Sequence, residues 1–192
     1  MSKVKCIGII AEDDSDFESS KVLIKRITSK TNLSFKKAIG NGCGKIRRKA
    51  LAYTIDLKNR GCDTVILLHD LDRRNLEQLK KELTAKLSDS PITNKLICIP
   101  VEEIEAWFLS DPNAIKTALN LRRKPNIRGN PETINSPKET LGELIFHCSE
   151  KNIYYLNTRH NEIIASEVSI DIMKNKCPSF NCFYSFISEQ KY

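Results

Sequence analysis

The stretch Thr64–Asp72, TVILLHDLD, decides the fold: an apolar, partly β-branched run from Thr64 to His69 is cut short by Asp70-Leu71-Asp72. Its apolar residues are consecutive rather than alternating, the pattern of a strand covered on both faces, as in a parallel sheet flanked by helices. The two acids then fall just past the strand, at the sheet edge where open α/β folds place their ligands. In an extended exit, residues two apart point the same way, so Asp70 and Asp72 are expected to turn both carboxylates toward one ion.

Upstream, Val4 to Ala11 has the same continuous apolar character and also ends in acids, Glu12-Asp13-Asp14. Ser15-Asp16-Phe17-Glu18 reads as a capping box opening a helix to about Ser29, with Phe17, Leu23, Ile24 and Ile27 on its apolar stripe. Leu33 to Ile39 predicts a second strand. Gly40-Asn41-Gly42-Cys43-Gly44 predicts an irregular turn, and Lys45 to Asn59 a helix closed by Gly61. Downstream, a helix over Leu76 to Leu87 and a strand over Lys95 to Val101 complete the alternation βαβαβαβ. That order predicts an α/β fold: an open, mostly parallel four-stranded, Rossmann-like sheet with helices on both faces, over residues 1–110.

Residues 111–192 read as a helical extension packed on that domain. Asp111-Pro112 starts one helix, and a polar loop follows over 122–136. Ser136-Pro137-Lys138-Glu139 is a second capping box, opening a helix to about Ser149. Another helix is predicted from about Asn161 to Lys174, and a last one from Pro178 with Phe180, Phe183, Phe186 and Ile187 on its apolar face.

Composition narrows the class. At 192 residues and 40% hydrophobic content the chain can bury one core plus an extension, but hardly two full domains. Its 31 Lys and Arg against 24 Asp and Glu give a net charge of +7, suited to a polyanion and compatible with acidic partners or membrane surfaces. Seven cysteines form an odd set without a C-x-x-C pair, and several lie inside apolar runs, as reduced, buried thiols do. No stretch approaches the ~20 apolar residues of a membrane span. The first apolar run is also too short for a signal peptide. The expectation is a soluble, cytoplasmic protein.

Glu12 to Asp16 could simply cap a helix, since acids are stabilised at helix starts. Four carboxylates within five residues exceed that need, however, and Glu12 precedes the cap. Asp70 and Asp72 repel one another unless a cation sits between them or Arg73 and Arg74 neutralise them. Glu102, Glu103 and Glu105 are again either helix-start acids or ligands, Glu105 being the best placed because it precedes Trp107 and Phe108, which read as core. GNGCGKIRRK is not a Walker A loop, for Ile39 and Ile46 stand where Gly and Ser/Thr are required. It leaves a helix start beside Lys45, Arg47, Arg48 and Lys49, suited to phosphate or merely a solvated basic face. Arg122, Arg123, Lys124, Arg128 and Lys138 could contact a phosphodiester backbone. His69, on a buried strand, reads as a hydrogen-bonded core residue before a proton shuttle.

With IGIIAEDDSDF, VILLHDLD and VEEIEAWFLSD in place, the first 110 residues resemble the Toprim superfamily, in particular small stand-alone bacterial Toprim-like proteins related to the overcoming-lysogenisation-defect (OLD) nucleases. The resemblance implies that Glu12 serves as ligand or acid/base and that Asp70 and Asp72 hold Mg²⁺ or Mn²⁺. It also implies a second ion on Asp16 and a further glutamate, and a downstream lysine, most plausibly Lys138, steadying the transition state. A receiver domain matches less well, because a second Asp follows Asp70 and no Lys follows an apolar fifth strand. A haloacid-dehalogenase-type phosphatase needs its D-x-D on the first strand, not the third.

The expected function is a Mg²⁺-dependent nuclease acting on DNA or RNA. Basic residues of the 45–49 helix and the 122–128 loop would track the strand. The resemblance implies an anti-phage or toxin-like system with a separately encoded ABC/AAA-type ATPase; a homo-oligomer is a further expected partner state. The alternative is a non-catalytic Toprim-like module that regulates such an ATPase.

Overall fold

The computed structural model describes residues 4–192. The elements run β1 (Cys6–Ala11), α1 (Asp14–Thr28), β2 (Ser34–Ile39), α2 (Cys43–Asn59), β3 (Thr64–Leu68), α3 (Leu76–Lys86), β4 (Asn94–Cys98) and the short α4 (Glu105–Phe108). Then come α5 (Pro112–Ala118), α6 (Pro137–Cys148), α7 (Asn157–Glu167), α8 (Ile170–Lys176) and α9 (Pro178–Ser188). The strands form one four-stranded sheet in the order β2-β1-β3-β4, and every neighbouring pair is parallel. The chain leaves β1 toward β2 on one side and returns to β3 on the other. The strand order therefore reverses between β1 and β3, and a crevice opens beyond their C-terminal ends. Glu12 follows β1 and Asp70 follows β3, so the topology alone sets these two at its lips.

The consecutive apolar strands split their side chains between two layers. Ile7, Ile9 and Ala11 of β1 and Ile66 and Leu68 of β3 join α1 and the C-terminal helices in one core, whereas Cys6, Ile10, Val65 and Leu67 pack with α2 and α3 in the other. Gly8 lets α2 come close, since a Cβ there would stand 2.8 Å from Leu57 Cδ1. The helices beyond residue 110 complete one face of the sheet: Ile145, Ile164, Phe180 and Phe183 belong to the same apolar cluster as β1 and β3. Trp107 is fully buried there, edge-on to Phe180 at 5.2 Å, and its Nε1–H donates to Ser179 Oγ at 2.7 Å. This anchors α4 and, with it, Glu105.

Several local expectations are corrected. Neither capping box forms. The N-cap of α1 is Asp13, whose Oδ1 accepts from the Asp16 N–H at 3.1 Å, because an acid one residue past the strand exit is already in place to cap. Ser136 makes no side-chain cap to α6; Glu103 reaches across from the sheet edge and accepts from the Lys138 N–H at 3.0 Å. The helix predicted over 161–174 is two, α7 and α8, broken at Val168 (ψ 139°), with Ser169 capping the second. β3 ends at Leu68, and Asp72 and Arg73 have φ of 50° and 57°, so the exit carrying Asp70 and Asp72 is a turn rather than extended chain. Among the described residues, no helix is long and apolar enough to cross a membrane.

Candidate metal centre

Glu12, Asp13, Asp16, Asp70, Asp72, Glu103 and Glu105 line one cavity of about 100 Å³ at the switch-point crevice, together with Lys138 and Asn157. The loops after β1, β3 and β4 and the starts of α1, α4 and α6 each contribute. All five residues read from the sequence as ligands are thus brought together with Lys138, the one basic residue on this wall among the described residues.

Each acid has its own support. Glu12 accepts from the Cys43 thiol at 2.8 Å, and its carbonyl accepts from the Asn41 N–H at 2.9 Å, which ties the strand exit to the glycine turn. A Cβ on Gly40 would meet Ile46 Cγ1 at 2.3 Å, so that turn closes only with glycine there. Asp13 spends Oδ1 on its cap, while Oδ2 accepts from Asn157 Nδ2 at 2.9 Å. Glu105 is 4% exposed, and its Oε1 accepts from the Tyr155 hydroxyl at 2.9 Å and from Asn161 Nδ2 at 3.0 Å. Asn161 is fully buried, its Nδ2 also reaches Ser15 Oγ at 3.0 Å, and its Oδ1 lies close against the Tyr155 hydroxyl, whose single proton it shares with Glu105.

The loops beyond β3 and β4 hold each other. The Arg73 N–H donates to Glu102 Oε2 at 3.0 Å, and Leu71 N–H to the Pro100 carbonyl at 3.2 Å. Asp72, Arg73 and Glu102, with φ of 50°, 57° and 60°, all occupy the left-handed region. Each such non-glycine residue costs on the order of 1 kcal/mol or more, and strain of this kind gathers at functional sites.

The electrostatics are those of an acid cluster in large excess over its nearby positive charge, seven carboxylates facing Lys138. Asp16 is held well above the usual carboxylate range, first by burial and then by Asp13, Glu105 and Glu12. Asp70 is raised likewise, by burial and then by Asp16, Glu105, Glu12 and Asp72. Neither Arg73 nor Arg74 relieves them: Arg74 pairs with Glu82 at 3.2 Å, and among the described residues no ion pair joins a basic side chain to Asp70 or Asp72. The donor set is carboxylate oxygen, which suits Mg²⁺ or Mn²⁺ rather than a soft metal. Among the described residues no three His, Cys, Asp or Glu side chains already stand as a ligand set for a metal ion. The carboxylates line a common cavity without meeting at a point.

The remaining candidates fall elsewhere. His69 is buried with Nδ1 2.6 Å from the Asp70 carbonyl, and it does not line the cavity. Lys45, Arg47, Arg48 and Lys49 lie on the first turns of α2, next to Cys43 and so to Glu12, but Arg47 is engaged by Glu82 at 3.8 Å. Arg122 faces Glu150 at 3.8 Å, and Arg123 donates to the His147 carbonyl at 3.1 Å. These two sit at the far end of α6 from Lys138, ~15 Å along its axis. Asp13 and Glu103, which the sequence shows only as members of their acidic runs, both line the cavity. Tyr155, Asn157 and Asn161 have no signal in the sequence; only tertiary packing brings them to Glu105 and Asp13.

Fold and site together define an all-parallel α/β protein with a carboxylate-lined cavity at its topological switch point. The chain belongs to the family described as Domain of unknown function (DUF4276), whose model matches residues 11–188. No curated protein and no solved structure matches it.

Proposed function

We propose that the protein is a Mg²⁺-dependent nuclease of the Toprim type, hydrolysing phosphodiester bonds in DNA or RNA. The observation carrying this reading is the convergence of Glu12, Asp16, Asp70, Asp72 and Glu105 with a single lysine, Lys138, on one cavity at the switch point. A bound Mg²⁺, or a pair, would generate a nucleophile from water and stabilise charge developing on the phosphate. Glu12, Asp16, Asp70 and Asp72 would hold it. Glu105 is held through Oε1, which Tyr155 and Asn161 occupy, and its Oε2 would be the oxygen offered to a cation. Lys138, whose backbone Glu103 caps, lines the cavity and would set its positive charge against a bound phosphate. Lys45, Arg48 and Lys49 add attraction for the polyanion.

The test is incubation of the purified chain with Mg²⁺ or Mn²⁺ and plasmid, single-stranded DNA or bulk RNA, beside an Asp70→Ala variant. Metal-dependent cleavage lost in the variant is the expected result. No cleavage of any substrate, or cleavage unchanged in the variant, overturns the reading.

A further inference from the structure

A second concavity lies on the other flank of α1, between that helix and the sheet-edge strand β2. Its walls carry Lys21, Lys25, Lys36, Lys37 and Arg60 over a floor that includes Phe17 and Phe35, in a volume of about 430 Å³. Five cations against one lining carboxylate, Glu18, make it the opposite of the acid cavity. The concentration of acids in that cavity leaves 30 of the 31 basic residues but only 17 of the 24 acidic ones elsewhere. Part of that excess is gathered here.

The cations are not all spent on local partners. Lys21 pairs with Glu18, Lys37 with Asp14 at 2.6 Å and Arg60 with Asp56 at 3.0 Å. Among the described residues Lys25 and Lys36 make no ion pair. Two ammonium groups, those of Lys21 and Lys37, stand 5.6 and 5.9 Å from the Phe17 ring centroid and are thereby held over the groove floor. Phe35, half-buried beside them, leaves ring surface open.

Helical spacing joins the groove to the cavity. Asp13, Phe17, Lys21 and Lys25 follow one another at four-residue intervals, so they form one row along α1 with ~6 Å between steps. The row starts at the acid cavity and ends ~18 Å away in the basic groove. The Lys37–Asp14 pair marks the join, one residue from the cavity wall.

We infer that the concavity between α1 and β2 is a nucleic-acid strand-binding groove, in which Lys21, Lys25, Lys36, Lys37 and Arg60 take successive backbone phosphates of the strand whose neighbouring phosphodiester enters the acid cavity. The entry of the neighbouring phosphodiester into the acid cavity rests on the nuclease reading; strand binding in the groove does not. A groove that combines spaced cations with an open aromatic face is what a single strand requires: the cations track the backbone, and the ring accepts a base by stacking, without reading sequence.

The experiment is fluorescence anisotropy of labelled single-stranded DNA and RNA oligonucleotides with the full chain, in EDTA so that no cleavage intervenes. The variant is Lys25→Glu/Lys36→Glu, with Lys81→Glu/Lys86→Glu on α3, across the sheet, as control. Each lost phosphate contact lowers the log–log salt slope by about 0.7, so the groove variant should bind about tenfold more weakly at moderate salt and show a slope smaller by about 1.4. The control should lose much less. Equal loss in both variants, or none in the groove variant, overturns the proposal. A conservative Lys25→Gln/Lys36→Gln variant that keeps the wild-type melting temperature guards against misfolding and should show a smaller loss of the same kind. Binding of a polyglutamate peptide but of no oligonucleotide would assign the groove to an acidic protein partner and also overturn it. Wild-type binding that depends on the groove, without cleavage of any substrate, would sustain the groove while the nuclease reading fails. Cleavage that depends on Asp70 but is indifferent to the groove variant would do the reverse.

Discussion

Replacing Asp70 by Asn should stabilise the metal-free protein and at the same time abolish its stabilisation by Mg²⁺. The two effects have one cause. Asp70 lies among Asp16, Glu105, Glu12 and Asp72, and burial together with these neighbours holds its carboxyl well above the usual range. Ionisation of Asp70 is opposed by burial and by every one of them; the amide keeps the shape and removes the charge. Single changes at such a site act on a scale of about 1–2 kcal/mol. For a chain of this length each kcal/mol moves the melting temperature about 2–4 °C, so a rise of roughly 2–8 °C is expected without metal. The wild type should gain more from the ion. At a Mg²⁺ concentration a hundredfold above its dissociation constant the stabilisation is about 2.7 kcal/mol, or roughly 5–11 °C. Linkage adds a sign. Groups whose native values are raised contribute stability that is complete below the unfolded-state range and lost as pH climbs through the raised values. The metal-free wild type should therefore lose stability between mildly acidic pH and pH 8, and Mg²⁺ should reverse that trend. Differential scanning fluorimetry with EDTA or MgCl₂ at both pH values reads all of this. A variant that melts lower than wild type in EDTA, yet keeps its full Mg²⁺ shift, would refute the reasoning.

Three further expectations follow from individual contacts. Asn161→Ala strips a buried amide from Glu105, Ser15 and Tyr155 and should cost about 2–3 kcal/mol, a fall of roughly 4–12 °C, whereas Tyr155→Phe should cost only about 1 kcal/mol; equal effects in thermal melts would show that the network does not centre on Asn161. Gly40→Ala forces a Cβ into Ile46 and should destabilise by about 1–3 kcal/mol while weakening the Mg²⁺ shift through the displaced Glu12 turn, so a neutral result in paired melts would contradict the packing described at that turn. Lys138→Ala should leave the melting temperature within about 2 °C, since its backbone and not its side chain carries the cap, yet lower any metal-dependent cleavage by about 10²–10³-fold; retention of full cleavage would remove Lys138 from the site.

The chain's own order declared much of this protein. Unbroken apolar runs at β1 and β3 required two covered faces and hence parallel strands, and acids directly after those runs had to emerge at the sheet's C-terminal edge, because strand direction dictates where a chain exits. Glu12, Asp70 and Asp72 were legible for that reason. Glu105 was legible as the acid next to Trp107, whose size demanded burial. Local signals failed where a distant group could do the same job better: the caps of α1 and α6 come from Asp13 and Glu103, not from Ser15 and Ser136. What tertiary structure alone decided is the company each acid keeps. The strand order β2-β1-β3-β4 puts the exits of β1 and β3 side by side, and the C-terminal helices bring Tyr155, Asn157 and Asn161 from more than forty residues away. Hydrogen bonds need partners within about 3 Å and charge repulsion weakens with distance, so both depend on that arrangement in space and leave no period or spacing in the sequence to read.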